Sequence, residues 1–266
     1  YRDYIAWLGD QDLEKAYNFW EKYLGNLKEG THPSFKKINV DSENHQKEDY
    51  ASHSFYFSED DCKRLKSFAQ LHQLTINTVL QGAWSILLSK YTRQEDIIFG
   101  VTVSGRSIDL HGVEEIVGIF INTLPLRIKV LPNQKISLFL KLIQENMANI
   151  TQYGYVPLSK IQALSSINEG KGLFNNIFIF ENYPVAEQPQ NTLLQITEMR
   201  GVEKTEYPLT LTAGFNEKIY FKISYKTEFF NYENIKNISD HFINIIKNII
   251  KQPAENIENI SLLSPK

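Results

Sequence analysis

The stretch from Ile97 to Arg127, IIFGVTVSGRSIDLHGVEEIVGIFINTLPLR, limits what this chain can fold into more than any other. Its opening, Ile97 to Val103, is uncharged and rich in β-branched and aromatic side chains, which at that length is the pattern of a buried strand rather than a helix. The strand must stop at Ser104-Gly105-Arg106, where glycine frees the backbone for a turn and Arg106 sets a cation at a rim or cleft. A polar loop follows. A second apolar run, Val117 to Ile121, then ends on Asn122 and Thr123, two hydrogen-bonding side chains in apolar surroundings, and buried amides must be paired.

Around this stretch the chain alternates helix and strand signals. Tyr1 to Trp7 is aromatic and reads as extended or loosely helical, and Asp10 is a candidate cap for a helix from Leu13 to Leu24 with Phe19, Trp20, Tyr23 and Leu24 on its apolar face. Gly30 to Asp49 is polar, lysine-rich and aperiodic, as a surface connection is. Ser52 to Phe57 alternates like a strand, and Ser58 caps a helix whose first turn holds Asp60 and Asp61 near the positive end of the dipole. Three apolar stripes at helical spacing follow: Leu80, Ala83, Trp84, Leu87, Leu88 and Tyr91; Ile136, Phe139, Leu140, Ile143, Met147 and Ile150; and Ile235, Ile238, Phe242, Ile245 and Ile249. Each is core. Later strand signals are Leu173 to Phe180, Leu193 to Arg200, Pro208 to Phe215 and Ile219 to Tyr225, with Asn216-Glu217-Lys218 short enough for a hairpin. Helices between early strands, then strands in succession, predict an α/β fold: a mixed-sheet layer sandwich.

Composition narrows the function. The chain of 266 residues carries 28 basic and 31 acidic side chains, so it lacks the positive field that nucleic acid or an anionic membrane would need. One cysteine, Cys62, precludes an internal disulfide and a cysteine metal cluster, and suits a reducing compartment; no metal site is expected, and the cytoplasm is the expected location. No stretch approaches the length of a membrane span, and the charged opening YRDY is unlike a signal peptide. No Ser-His-Asp or Cys-His arrangement and no glycine-rich phosphate loop is readable. His45 to Asp49 has a His-x-x-x-Asp spacing, but Tyr50 follows where glycine would be needed, and a solvated loop cannot hold a base against a substrate.

The run GVTVSGR followed by GVEEIVGIFINTLPLR resembles the carboxy-terminal half of the condensation domain of nonribosomal peptide synthetases, whose pattern there is close to VGxFxNTxxxR. Four more stretches fit in the same order: YRDYIAW, TINTVLQGAWSILLSKY, YVPLSKIQ and LFNNIFIFENYP. The family's catalytic signature, His-His-x-x-x-Asp-Gly, lies in the amino-terminal half of that domain, and no His-His pair occurs here. The resemblance therefore implies one lobe of a chloramphenicol acetyltransferase-like fold: residues 1–30 as inter-lobe linker and first helix, 31–266 as the carboxy-terminal lobe, with a crossover at about 173–205 that includes Phe180 to Pro184. It implies no catalytic residue in this chain. It also implies no directly bound cofactor, because phosphopantetheine arms are delivered by donor and acceptor carrier proteins; the other partners are the amino-terminal lobe and an adjacent adenylation domain.

The same resemblance marks candidate residues. Asn122, with Thr123, falls on the FxNT element beside the tunnel between lobes, or else Asn122 caps backbone at a strand start. Ser104 and Arg106 line the same tunnel, or Arg106 pairs with Glu114 or Glu115. Trp7 lies near the lobe junction, or packs on a linker helix. Arg127 is structural, and Tyr155, Pro157 and Ser159 lie toward the carrier side, although YGYVPL replaces the family's usual aspartate-rich version. Asn256 to Pro265 looks like a tail leading to a next domain. Two rivals remain beside an amide-forming lobe: a docking module without chemistry, and a small trimeric acyltransferase, for which only His45 offers the spacing.

Overall fold

The computed structural model describes residues 1–34, 49–167, 172–181, 205–216 and 218–263. Its centre is the helix Ile76–Thr92 (α4), capped by Thr75, whose hydroxyl accepts from the Thr78 amide at 3.0 Å. Residues Thr78 to Leu88 of α4 are buried without interruption, which is the signature of a helix enclosed on all sides. Its walls are the helices Ile136–Gln152 (α5) and Tyr232–Lys251 (α7) and the strand Asp96–Val103 (β2).

The remaining strands are Tyr50–Tyr56 (β1), Asn122–Lys129 (β3), Asn176–Glu181 (β4), Leu209–Asn216 (β5) and Lys218–Lys226 (β6). They form one mixed sheet in the order β1-β6-β5-β4-β2-β3. The β1–β6, β6–β5 and β2–β3 pairs are antiparallel, whereas β5–β4 and β4–β2 are parallel. Helix Glu59–Leu71 (α3) joins α4, α5 and α7 on one face, where Phe221 of β6 meets Phe55, Phe57 and Phe242 at 5.1–5.5 Å. On the opposite face β1 turns out Ser52, Ser54 and Tyr56, and β6 turns out Tyr220, Lys222 and Ser224. Alternation along these strands thus separates a helix-covered face from a polar one.

Helices Arg2–Gly9 (α1), Leu13–Leu24 (α2) and Leu158–Ala163 (α6) complete the layers. The free edge of β3 is covered rather than left open. Tyr23 of α2 accepts from the Arg127 amide at 2.8 Å, and the Arg127 carbonyl accepts from Asn146 of α5 at 2.8 Å. Burial pushes the Tyr23 phenol far above its usual range, so it stays a neutral partner.

Several expectations change. The first residues form a regular helix, and the cap of α2 is Asp12, whose carboxylate accepts from Lys15 at 2.9 Å, while Asp10 ends α1. The apolar run before Asn122 is split: Phe120 is buried, whereas Val117, Ile119 and Ile121 are 92, 81 and 55 % exposed, and Asn122 begins β3. The segment from Asn256 folds back, with Ile257 and Ile260 buried and the Ser261 carbonyl accepting from Asn244. His45, the strand at Leu193 to Arg200, and residues 182–184 of the crossover lie outside the described residues.

Tyr91 of α4 bonds His241 Nδ1 of α7 at 2.7 Å. Burial holds the His241 imidazole below its ordinary range, partly opposed by Asp240. Because the unfolded chain then binds the proton more readily, stability is retained above about pH 6.5 and falls as the pH drops below it. Urea midpoints between about pH 5 and 8 should show that slope, and His241→Asn should flatten it.

Candidate functional site

Strands β2 and β4 run parallel but pair only at Gly100–Ile177 and Val101–Phe178, then diverge. From there β2 leads to β3 on one side and β4 neighbours β5 on the other, so this is the point where the winding of the sheet reverses. In open α/β sheets that reversal, at the carboxyl ends of the strands, leaves a crevice where ligands bind. A cavity of about 650 Å³ runs along the sheet face from there, bounded by Thr102 and Thr123, by Ile177, Ile179 and Glu181 of β4, and, toward the amino ends of β4 and β5, by Phe174, Asn175 and Thr205 to Pro208.

The start of the divergence is locked from below. Thr31 wedges between the strands, its hydroxyl accepting from the Ile98 amide at 2.9 Å and its own amide donating to Leu173 at 3.0 Å. Asn176 donates to the Thr31 carbonyl at 3.3 Å and accepts from the Trp84 indole at 3.2 Å. All three side chains are buried. Gly100 is required by close approach: a Cβ there would meet the Ile177 methyl at 2.6 Å and the Phe174 ring at 2.7 Å.

A second cleft, about 220 Å³, lies between α1, the turn after β2 and residues 151–155. It gathers Trp7, Ser104 and Tyr155. Trp7 stacks on Tyr4 with ring centres 6.0 Å apart and meets Tyr155 edge-on at 5.8 Å. Thr123 is not with them; it lines the larger cavity. Asn122 lines neither: its amide donates to the Gly154 and Val156 carbonyls at 2.8 and 2.9 Å, and its oxygen accepts from Thr123 at 2.9 Å, as a strand-start cap does. Pro157 is the N-cap of α6.

Arg106 binds backbone. Its guanidinium donates to the Val113 and Ile116 carbonyls, the latter at 3.0 Å, and lies over the Phe120 ring at 4.2 Å; among the described residues no ion pair joins it to Glu114 or Glu115. This folds the 106–120 loop onto the turn, where Gly105, at φ +67°, has no room for a Cβ against the Phe120 carbonyl oxygen. Arg127 is structural in a specific way: bidentate to Asp96 at 2.6 and 2.9 Å, it also donates to the Tyr23 and Gly25 carbonyls, tying the end of α2 to β2.

The condensation-domain family model matches residues 1–266. The chain belongs to the condensation-domain family. It is 38 % identical over 265 residues to one of the linear gramicidin synthase proteins of Brevibacillus parabrevis, covering 99 % of this chain and 5 % of that synthase. To bacitracin synthase 3 of Bacillus licheniformis it is 31 % identical, covering 99 % of this chain and 4 % of the relative. The chain therefore spans a small part of the synthases it matches. Among solved structures, the condensation domain of the Monacolin K polyketide synthase MokA superposes with TM-score 0.78 at 16 % identity, covering 96 % of this chain and 61 % of that one. The X-domain from teicoplanin biosynthesis gives 0.77 at 19 %, covering 96 and 58 %. The mixed sheet with its helix layer is the chloramphenicol acetyltransferase-like fold.

Residues that sequence reading passed over are Glu181, Asn175 and Glu206 in the wall of the larger cavity, and Tyr220, whose hydroxyl donates to Glu181. Glu181 stands inside the FENYP stretch, but only the register across three strands shows what it faces. Replacing Asn122 by alanine frees two carbonyls and should cost about 1–3 kcal/mol in urea unfolding, with loss of amide exchange protection in the 154–156 segment.

Proposed function

We propose that this condensation-family chain is the carboxy-terminal lobe of an amide-forming condensation domain of a nonribosomal peptide synthetase. The observation that carries the reading is an unfinished apolar seam. Val117, Ile119 and Ile121, together with Ile5 at 54 % exposed, stand beside the α1 aromatic cluster. A patch of that kind marks an interaction surface. It lies next to both clefts, and the chain covers 61 and 58 % of two solved chains of this fold. Both observations support an amino-terminal lobe seated on the seam and joined through residues 1–30.

In that setting the reaction is attack by the amine of an aminoacyl thioester on the carbonyl of a peptidyl or acyl thioester. The C–N bond forms, the C–S bond breaks, the thiol leaves with its carrier arm, and the amine loses a proton to a base. Phosphopantetheine supplies the thioesters and reaches the site from donor and acceptor carrier proteins; an adenylation domain is the expected neighbour in the synthetase. The residues of this lobe bind and orient: Trp7, Ser104 and Tyr155 in the smaller cleft, Thr123 at the mouth of the larger. None is placed as a base, and no His-His-x-x-x-Asp-Gly run occurs in the sequence. The crossover at about 173–205 is the segment by which such a lobe reaches its partner.

A binding role without chemistry has one specific support: the teicoplanin X-domain, which has this fold, is solved as a complex with OxyB. An assay separates the two. The lobe mixed with loaded donor and acceptor carrier proteins should give no amide above the uncatalysed rate, whereas the lobe joined to its amino-terminal half should turn over. Turnover by the lobe alone would place the base in this chain, and none by the joined protein would favour the binding role.

A further inference from the structure

We propose that β1 is a dimerisation edge: a second copy of this chain lays its own β1 antiparallel to it about a twofold axis at His53, so that one sheet runs through both protomers. The two outer strands of the sheet are built differently. On β3, Pro125 lacks an amide, and the Arg127 amide and carbonyl are taken up by Tyr23 and Asn146, devices that block the addition of a strand. The seven residues of β1, YASHSFY, hold no Asp, Glu, Lys, Arg, proline or glycine. The β1–β6 pair is bounded by bonds from the Thr227 amide to the Asp49 carbonyl and from the Phe57 amide to the Ile219 carbonyl. Antiparallel alternation then turns the backbone groups of Ala51, His53 and Phe55 toward β6 and those of Ser52, Ser54 and Tyr56 outward. Outward, these groups meet no partner among the described residues.

The order of residues names the occupant. About His53 the strand reads almost alike in both directions: Ser52 mirrors Ser54, Tyr50 mirrors Tyr56, and Ala51 stands against Phe55. A twofold interface sets each residue against its mirror position in the other copy. With the axis at His53, Ser52 meets Ser54 and Tyr50 meets Tyr56, and these even-numbered positions are the ones whose amides and carbonyls point outward. An axis between two residues would instead set outward groups against inward ones. The same register pairs hydroxyls and aromatic rings on the polar face, fits a small side chain against a large one on the helical face, and opposes no like charges. Tyr56 and Tyr232, 66 and 58 % exposed, border the edge on its two faces, Tyr232 with its ring 5.5 Å from His53. Exposed tyrosines of that kind are enriched in protein interfaces. The β1 edge lies at the opposite end of the sheet from β3, which the Val117 to Ile121 segment enters, so the dimer leaves the apolar seam free and does not rest on the condensation reading.

The test is sedimentation equilibrium of the complete condensation domain containing this lobe. A pair of seven-residue strands is a small interface beside the roughly 1,200–2,000 Å² of standard ones, so the dimer should form with a Kd of about 10–100 µM. Ser52→Glu/Ser54→Glu sets glutamates opposite each other twice across the axis and should weaken dimerisation at least about tenfold. Position 54 faces Lys222 of β6, so each protomer accommodates the new carboxylate and the melting temperature should hold. Ser52→Lys/Ser54→Glu sets lysine against glutamate at both pairs in the same register and should restore the Kd of the parent. A dimer that survives the double glutamate, or a Lys/Glu variant that fails to recover, overturns the proposal. So does a parent domain that stays monomeric to about 300 µM, an outcome that would leave the β1 edge to a strand from a different polypeptide.

Discussion

The divergence of β2 from β4 is the constraint on which the rest of the structure depends. Two parallel strands that part after two paired residues would leave buried amides and carbonyls without partners. Thr31, Asn176 and Trp84 resolve this by substituting side chains for the missing ladder, the Thr31 hydroxyl taking the Ile98 amide and Asn176 joining Thr31 to the indole of the central helix. The same contacts couple three layers: the chain after α2, the sheet, and α4. Polar satisfaction at the floor is what allows the cavity above it to stay open.

The smaller cleft depends on a second kind of lock. The turn after β2 and the loop that follows are closed by Arg106, whose guanidinium is taken up by the Val113 and Ile116 carbonyls and by the Phe120 ring. Tyr1 then donates to the Ile119 carbonyl at 2.9 Å and packs on Phe120, and Gly118 leaves the space that the Tyr1 ring fills. With the polar backbone of this loop turned inward and paired, its aliphatic side chains are left pointing out. That is how Val117, Ile119 and Ile121 come to be exposed in a loop whose sequence looks like core.

Most of the fold was legible because it is written in short-range pattern. The stripes on α4, α5 and α7, the apolar run from Ile97 in β2 and the cap at Ser58 each follow from periodicity or local hydrogen bonding, and each stands where the spacing placed it. At Val117 to Ile121 hydropathy does not distinguish a side chain turned to the core, as Phe120 is, from side chains turned outward, as Val117, Ile119 and Ile121 are. Asp10 and Asp12 are equally good caps by residue type; the choice was made by α1, which extends to Gly9 and takes Asp10 as its terminus. At the cavities, Trp7, Ser104 and Tyr155 converge although they are far apart in sequence, and the resemblance to known condensation domains selected them. Glu181, Tyr220 and Gly214 carry no such signal, since their relation exists only across the register of β4, β5 and β6.

That cross-strand relation also explains why the polar face of the sheet is uneven. On β1 and the far end of β6, serines and lysine face outward singly. Toward β4 the pattern changes: a tyrosine is laid over glycine, a carboxylate is pinned, and isoleucines replace serines. A solvated sheet face gains nothing from a glycine in mid-strand, which gives up side-chain packing and conformational restriction. Gly214 makes sense where the space above it is needed by Tyr220, and Tyr220 in turn where an anion must be held at one position beside an open crevice. The weakening of β5 at that glycine is therefore offset locally, by a phenol that bridges three strands and fixes one carboxylate at the reversal point of the sheet.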